Sequence, residues 1–249
     1  MSNRPGEIPI RSTSVRSTSV RIIYRNGGLA VVQKPAGIAV QPGKGVGTTI
    51  LDLIEPKLGF RPLPVHRLDR DTEGLLAVAQ DSAAAADFSR ILNSNQVEKT
   101  YIAVCAGTFS RPAGEITEEV TVKGTPKSAL TRYRVLRKLG KFSLVELTLE
   151  TGRMHQIRIH MAQTGRPIIG DDKYGDFALN RALKQTHAVK RLMLCAWKLK
   201  FPESRRTVMV TAELPDHFRE FLAVYGAEDA VPGSGHSSVR FSAAAGGRR

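Results

Sequence analysis

The amino-acid sequence predicts an α+β fold built on a mixed, mostly antiparallel central sheet with flanking helices. Short runs rich in β-branched and aromatic residues outnumber the helical patterns, and turn residues separate these runs at close intervals. The helical patterns do not alternate regularly with the strands, as they would in a doubly wound βαβ fold. With 249 residues, 41% of them hydrophobic, the chain is long enough to bury a sizeable core.

The first two predicted strands form a hairpin. They flank Asn26-Gly27-Gly28, and Asn and Gly accept the positive φ angles of a tight turn. A second hairpin is predicted at Leu139-Gly140-Lys141. The predicted strands are residues 21–24, 29–33, 75–79, 100–106, 116–122, 131–138, 143–150, 193–201 and 207–212.

Three segments carry helical patterns. Residues 83–93 follow Ser82, which is the expected N-cap, and residues 216–225 follow Pro215. The third predicted helix spans residues 154–163. A few helices interspersed among many strands agree with the α+β prediction.

Residues 22–226 are predicted to form one domain between two tails. The first tail, residues 1–21, repeats Ser-Thr-Ser-Val-Arg and has no apolar face to bury, so we predict disorder. Its Arg- and Ser-rich composition is also that of an organelle targeting segment, and this alternative stays open. The second tail, residues 227–249, is rich in Ala, Gly and Ser and ends in Arg, so we expect disorder and added nonspecific affinity for RNA.

The protein is strongly basic. It has 37 Lys and Arg against 23 Asp and Glu, a formal net charge of +14. Four Arg and one Glu lie in the first tail and three Arg and two acids in the second, which leaves +10 on the predicted domain. Clustered cations attract phosphate backbones, although a basic surface that only promotes solubility is the alternative.

The two cysteines, Cys105 and Cys195, each lie within an apolar run and match no metal-ligand spacing, so we predict buried, reduced thiols. The sequence contains no run near the roughly 20 consecutive apolar residues that a membrane-spanning helix requires, and its N-terminus lacks an apolar signal core. We therefore expect a cytoplasmic protein that is neither secreted nor inserted in a membrane.

One charged segment points to a functional site. Residues 66–76, His-Arg-Leu-Asp-Arg-Asp-Thr-Glu-Gly-Leu-Leu, place acids and cations directly before an apolar strand-like run. Acids at a strand end, flanked by cations that bind phosphate, indicate a site that acts on a polyanion. A solvated surface loop is the alternative.

This segment resembles the central motif of RluA-type pseudouridine synthases, which isomerise uridine within RNA. Further segments resemble other motifs of that family in the same order, and the resemblance spans roughly residues 22–225. These segments are residues 34–37, 98–101, 151–160 and 170–175. The resemblance implies a mixed central sheet with a cleft, isomerase activity, and ribosomal or transfer RNA as the partner.

The family's reaction breaks the bond from the anomeric carbon to N1 of uracil and rejoins the base through C5, so no redox step, cofactor or metal is expected. A carboxylate that neighbouring cations keep ionised can act as nucleophile or base. The resemblance implies that Asp69 is this carboxylate. Whether it attacks the sugar, adds to the ring or removes a sugar proton stays open. We expect Asp71 to be an exposed turn acid or a partner of Arg70.

The resemblance implies two further catalytic residues. Tyr101 begins a strand, where an aromatic residue ordinarily packs in the core, but its family counterpart stacks on the target base and helps to remove the C5 proton. Because phenol is a weak base, that role requires a nearby cation or base. Arg158 adjoins the apolar face of its predicted helix, and the resemblance pairs it with the catalytic aspartate.

Four residues are predicted to bind the substrate. The resemblance suggests that Arg67, or else His66, fills the gap left by an extruded nucleotide. Arg153 is expected to bind RNA phosphate or to close a strand-to-helix turn. Leu194 is expected to close the uracil pocket, in a segment where Cys195 replaces the family's usual histidine.

A second departure from the family pattern is Glu73, where many members have Ser. A glycosidase or nucleosidase would need a second acid beside Asp69, and only Asp71 or Glu73 is near in sequence. A metal hydrolase would need ligands from His155, His160, Asp171 and Asp172. The two histidines are five residues apart, so they do not share a helix face.

The main alternative is a non-catalytic RNA-binding or RNA-folding protein on the same scaffold, which the charge fits equally well. Such a protein has no reason to keep Asp69, Tyr101 and Arg158 together. We expect target choice to depend on the shape of the RNA, and a monomer is the default expectation.

Overall fold

A mixed sheet of eleven strands organises the residues that this computed structural model describes, which are 20–43, 46–231, 233 and 235–243. The strands are β1 (Arg21–Asn26), β2 (Leu29–Lys34), β3 (Leu63–Pro64), β4 (Glu73–Ala79), β5 (Glu98–Ala106), β6 (Ala113–Ile116), β7 (Val120–Val122), β8 (Thr125–Lys127), β9 (Thr131–Leu139), β10 (Phe142–Leu149), β11 (Leu194–Glu203), β12 (Arg206–Thr211) and β13 (Ser238–Ala243). The helices are α1 (Ile50–Leu58), α2 (Ser82–Asn93), α3 (Gln156–Gln163), α4 (Phe177–Thr186) and α5 (Asp216–Val224).

The main strand order is β1-β2-β4-β11-β5-β10-β9-β6, with β12 and then β13 continuing from β11 and β3 pairing with β4. Within the described ranges, β4 and β11 form the one parallel pair of this sheet, and the other pairs are antiparallel. Strands β7 and β8 form a separate two-stranded sheet. The predicted α+β class and the mostly antiparallel sheet are thus confirmed.

The core lies around the central strands β4, β5 and β11. Every residue of β4 is buried, which explains why its sequence is an almost continuous apolar run instead of an alternating one. Helix α1 turns Ile50, Ile54 and Leu58 inward at four-residue intervals, so one apolar stripe of the helix joins the core. Helix α5 packs Phe221 edge-on against Phe142 of β10, with ring centroids 5.6 Å apart.

Both predicted hairpins are present. Gly27 and Gly28 have positive φ angles between β1 and β2, and Gly140 does so between β9 and β10. The predicted strand 116–122 is divided, however, because β6 pairs with β9 while β7 pairs with β8. A single strand cannot hydrogen-bond into two differently oriented sheets, so the chain turns between them.

Two helices were not predicted. In α1, Pro56 argues against a helix, but a capping box between Thr49 and Asp52 stabilises the first turn and confines the effect of the proline to the last turns. Helix α4 begins after Asp176, whose carboxylate accepts a hydrogen bond from the Leu179 amide. In α2 the N-cap is Asp81 instead of the predicted Ser82.

The C-terminal segment differs from the disorder expected for residues 227–249. Residues 238–243 form β13, which pairs antiparallel with all six residues of β12. The guanidinium of Arg206 lies 4.2 Å over the ring of Phe241. Composition does not predict this pairing, because the strand is held mainly by backbone hydrogen bonds that any sequence can make. Residues 1–19 and 244–249 of the two predicted tails lie outside the described residues.

In the part of the chain that the structure describes, the helices are too short and too polar to cross a membrane.

The β4–β11 junction predicts a strict requirement for glycine at position 74. Gly74 has a φ of 111°, and a Cβ atom there would lie 2.2 Å from the carbonyl oxygen of Ala196. We expect Gly74→Ala to lower the free energy of unfolding by about 3 kcal/mol or more, because the two strands must separate. Urea unfolding followed by circular dichroism measures this loss.

Gly124→Ala is the matched control. Gly124 has a φ of 79°, but a Cβ there meets no described atom within 4 Å. The free energy of unfolding should therefore fall by only about 1 kcal/mol in this variant, which is the cost of the strained backbone. Equal losses in the two variants would show that the contact with β11 is not what requires a glycine.

Candidate active site

A cleft of about 510 Å³ lies beside the carboxylate of Asp69. Its walls come from the loop before β4, the start of β5, the β7–β8 hairpin and the turn between β10 and α3. The structure brings together along this cleft all the residues predicted as catalytic or substrate-binding. They are His66, Arg67, Asp69, Tyr101, Arg153, Arg158 and Leu194. The roles of these residues stay predictions.

The loop that carries Asp69 is anchored by a buried lysine. The ammonium of Lys34, at the end of β2, donates hydrogen bonds of 2.9 Å to the carbonyl oxygens of Pro35, Ile38 and Arg70. The amide of Gly37 donates to the Arg70 carbonyl as well. Burial lowers the pKa of Lys34 to about 8, while nearby carboxylates oppose that shift. The segment at residues 34–37 therefore fixes the backbone next to Asp69.

Each oxygen of Asp69 faces a different nitrogen. Nη1 of Arg158 lies 3.7 Å from Oδ2, and Nε2 of His155 lies 3.7 Å from Oδ1. The Asp69 side chain is 18% exposed, so it opens to the cleft from an otherwise buried site. At these distances the two nitrogens contribute electrostatic attraction without tight hydrogen bonds.

The tightest partner of Arg158 is Asp171 instead of the predicted Asp69. Nε and Nη2 of Arg158 donate to the two carboxylate oxygens of Asp171 at 2.8 and 2.7 Å, and the two side chains are only 5% and 1% exposed. A further hydrogen bond of 3.1 Å joins Nη2 to Asp172, which is 79% exposed. Asp69 thus receives the one terminal nitrogen that Asp171 leaves free.

Asp171 is an acceptor for four donors. Besides the two from Arg158, its Oδ1 accepts the backbone amides of Lys173 and Tyr174, each at 2.9 Å. Burial alone would raise the pKa of Asp171, but these hydrogen bonds outweigh it and hold the pKa below its usual value. From the sequence, this acid was a candidate only for metal binding. The available signal was its place in the segment at residues 170–175, which resembles a family motif.

Tyr101 and Leu194 lie on neighbouring strands at the floor of the cleft. Both side chains are buried, and β5 and β11 pair Ala196 with Tyr101 and Leu194 with Ala103. Burial raises the pKa of the Tyr101 phenol, and the negative charge of Asp69 raises it further. The phenol is therefore neutral, a hydrogen-bond donor and a surface for stacking.

The other predicted substrate-binding residues differ in burial and in the hydrogen bonds of their side chains. Nε2 of His66 accepts a hydrogen bond from the Ala77 amide, and burial lowers the pKa of His66 to about 4, so the ring is a neutral part of the wall. Arg67 is exposed. Arg153 is exposed too, lines the cleft, and donates from its Nε to the Ser128 carbonyl at 3.2 Å, which joins the turn before α3 to the segment before β9.

Two histidines considered as metal ligands have other partners. The hydroxyl of Tyr174 lies 3.0 Å from Nδ1 of His155. The ring of His160 is buried and lies within 2.9 Å of both the Thr131 hydroxyl and the Glu118 carbonyl. Among the residues that the structure describes, no three His, Cys, Asp or Glu side chains are grouped as metal ligands would be.

The two departures from the family pattern lie opposite each other. Cys195 of β11 pairs in register with Glu73 of β4. Burial raises the pKa of both groups, so the carboxyl of Glu73 and the thiol of Cys195 each lose a proton less readily than they would in water. Glu73 lies 3.7 Å from Arg191 and 3.8 Å from His217. The substitutions therefore concern one buried contact behind the cleft.

Comparisons with known proteins identify the family to which this chain is similar. Residues 28–163 match the family model described as RNA pseudouridylate synthase. The chain is 34% identical over 249 residues to the Ribosomal large subunit pseudouridine synthase D of Nitrosomonas europaea, covering 92% of this chain and 70% of that protein. It is 30% identical over 239 residues to the tRNA pseudouridine synthase C of Vibrio cholerae, covering 85% and 98%.

The fold is also similar to that of a solved structure, Human RNA Pseudouridylate Synthase Domain Containing 4. The TM-score is 0.68 at 26% sequence identity, with 81% of this chain and 91% of that chain covered.

The buried pair predicts unequal effects of two neighbouring substitutions. Asp171→Asn should lower the free energy of unfolding by about 3 kcal/mol, because it leaves the buried charge of Arg158 without its bidentate partner. Asp172→Asn removes an exposed partner of the same guanidinium and should cost less than about 1 kcal/mol. Urea denaturation at neutral pH measures both. Similar stabilities of the two variants would contradict a structural role for the buried pair.

Proposed function

We propose that this chain, which belongs to the RNA pseudouridylate synthase family, isomerises specific uridines of structured ribosomal or transfer RNA with Asp69 as the catalytic carboxylate. Its membership makes it an RNA pseudouridine synthase, an isomerase whose partner is RNA. The observation that carries the assignment of Asp69 is its position in the cleft with Tyr101 and Arg158, which come from distant parts of the sequence.

The arrangement of charges supports a reactive role for Asp69. Asp171 holds the guanidinium of Arg158 at 2.7 and 2.8 Å, whereas Asp69 is 3.7 Å from it. Arg158 therefore attracts the carboxylate of Asp69 without occupying its lone pairs. A carboxylate in this state can attack the sugar or the ring, or remove a sugar proton.

We assign Tyr101 to the base itself. Its neutral phenol, at the floor of the cleft, offers a flat surface on which uracil can stack. In the isomerisation the bond from C5 to hydrogen breaks after C5 has bonded to the sugar, and N1 gains a proton. Because burial and Asp69 both raise the pKa of Tyr101, we propose that the phenol orients the base and that another group or water accepts the C5 proton.

The rim of the cleft fits an RNA backbone. Exposed cations on three segments line it, and they are Arg67, Lys123, Lys127 and Arg153. The relatives with the similarities given above are named for ribosomal and transfer RNA substrates, so both are proposed targets here. The proposed catalytic domain is residues 22–226, to whose sheet β13 adds an edge strand.

Replacing Asp69 tests the catalytic assignment. Asp69→Asn should reduce pseudouridine formation by about a thousandfold or more, because an amide can neither attack nor accept a proton. Release of tritium from RNA labelled at uridine C5 measures turnover, with unmodified transcripts of bacterial large-subunit ribosomal RNA and of tRNAs as substrates. Affinity for the modified transcript should stay within about threefold, since binding depends on the rim cations.

Asp71→Asn is the matched control for this experiment. Asp71 belongs to the same loop but does not line the cleft as described, and we expect the variant to keep most of its activity. Retained turnover in Asp69→Asn would refute the assignment. Release of free uracil by the wild-type protein would indicate a glycosidase instead, and binding without either product would indicate an RNA-binding protein.

The rim lysines predict a salt effect. Replacing both Lys123 and Lys127 by Gln should weaken RNA binding and reduce the slope of log affinity against log salt concentration by about 0.7 for each lysine. Fluorescence anisotropy with the same transcripts measures the slope. Lys184→Gln, on the exposed side of α4, is the control and should leave the slope unchanged. An unchanged slope in the double variant would show that these lysines do not contact RNA phosphates.

A further inference from the structure

His155 lies in the cleft, but neither the sequence motifs nor the proposed mechanism gives its side chain a role. Its backbone is left-handed, with φ 55° and ψ 20°, immediately before α3. A residue with a side chain holds this conformation at a cost of about 1 kcal/mol or more, so surrounding contacts must maintain it. One such contact is the buried side chain of Gln156, whose Oε1 accepts hydrogen bonds from the Thr151 hydroxyl and the Arg153 amide. The strained turn directs the imidazole toward Asp69.

The two ring nitrogens of His155 have different partners. Nδ1 lies 3.0 Å from the Tyr174 hydroxyl, and Nε2 lies 3.7 Å from Oδ1 of Asp69. The guanidinium of Arg158 and the ammonium of Lys173 lie 5.4 and 5.3 Å from the centre of the Tyr174 ring. The hydroxyl can either donate to Nδ1 or accept from it, and the two nearby cations favour donation. The proton of the neutral imidazole is then on Nε2, which faces Asp69.

The charges around His155 keep it neutral near pH 7. Burial lowers the pKa of His155, and among the groups that face it Asp69 raises the pKa, Arg158 and Lys173 lower it, and Asp171 raises it. The net effect is a pKa below the ordinary value for histidine. At neutral pH the imidazole therefore contributes a polar N–H and no net charge to the site.

We propose that His155, anchored by the Tyr174 hydroxyl, is a positioning residue that orients the carboxylate of Asp69 through its Nε2 proton. Arg158 faces one oxygen of Asp69 and His155 faces the other, each at 3.7 Å. Such distances are common in unliganded sites and shorten when the substrate binds. A neutral donor fixes the direction of the carboxylate while leaving its charge for the reaction. The inference rests on the proposed function of Asp69.

Two substitutions distinguish the contributions of the two ring nitrogens of His155. In His155→Asn the amide reaches the position of Nδ1 and not that of Nε2, and Asn tolerates the left-handed backbone. In His155→Gln the longer side chain brings an amide N–H near the position of Nε2. We expect kcat to fall about 100-fold in the Asn variant with a nearly unchanged KM, and to stay within about fivefold of wild type in the Gln variant.

The pH dependence of the single-turnover rate adds a readout that a structural role would not move. When the pH falls below the pKa of His155, the wild-type imidazole takes up a proton, pairs with Asp69 as a cation and reduces its reactivity. We expect the wild-type rate to fall there and this part of the profile to be absent from His155→Gln. His236→Asn, which changes an exposed histidine outside the described cleft lining, should behave as wild type.

Tyr174→Phe tests the same inference with a smaller change. It removes only the hydroxyl that fixes the imidazole, so we expect kcat to fall about tenfold while RNA affinity and thermal unfolding stay near wild type. This variant keeps the inference testable if His155→Asn does not fold.

All rates are measured with the ribosomal or transfer RNA transcript that the wild-type protein modifies. A His155→Asn rate within about threefold of wild type, equal losses in the Asn and Gln variants, or an unaffected Tyr174→Phe would each overturn the inference. If the wild-type protein forms no pseudouridine in either class of transcript, the proposed function itself fails. If the wild-type protein forms pseudouridine and the variants are as active, only the role of His155 is rejected and the proposed function stands.

Discussion

The buried ion pair between Arg158 and Asp171 is the interaction on which the site depends. Two charges that are almost inaccessible to water are stable only because both nitrogens of the guanidinium edge meet both carboxylate oxygens, and two backbone amides complete the acid's hydrogen bonds. The pair fixes the remaining nitrogen of Arg158 beside Asp69. Without Asp171, the charge of Arg158 would have to be satisfied by Asp69 itself, and the proposed catalytic carboxylate would then be less available.

The sheet places Asp69 beside this pair because the loop with Asp69 enters β4 next to β11. The parallel contact between β4 and β11 needs the close approach that Gly74 allows. Lys34, at the end of β2, donates to the Arg70 carbonyl in that loop and to two carbonyls of the turn that follows β2. Residues far apart in sequence thus meet at one edge of a rigid core, which suits a reaction that requires accurate placement of a base and a carboxylate.

Much of the fold could be predicted from local pattern. The hairpins at Gly27-Gly28 and Gly140 followed from turn chemistry, and the strand-rich pattern gave the α+β class. Helix α1 was missed because Pro56 dominates its local propensity, whereas the capping box at Thr49 and burial of one face stabilise it. Strand β13 was missed because its partner is 27 or more residues away in sequence and contributes mainly backbone hydrogen bonds.

By itself, the sequence determined the candidate groups of the site, because the motif around Asp69, the tyrosine of β5 and the arginine of α3 lie in segments that resemble motifs of one family in that family's order. Only the tertiary structure decided which acid binds Arg158 and which imidazole faces Asp69. The physical reason is that sequence periodicity reports the face on which a side chain lies, whereas a bidentate contact requires distances of about 3 Å between separate elements. The left-handed turn at His155 and the strands packed behind the cleft set those distances.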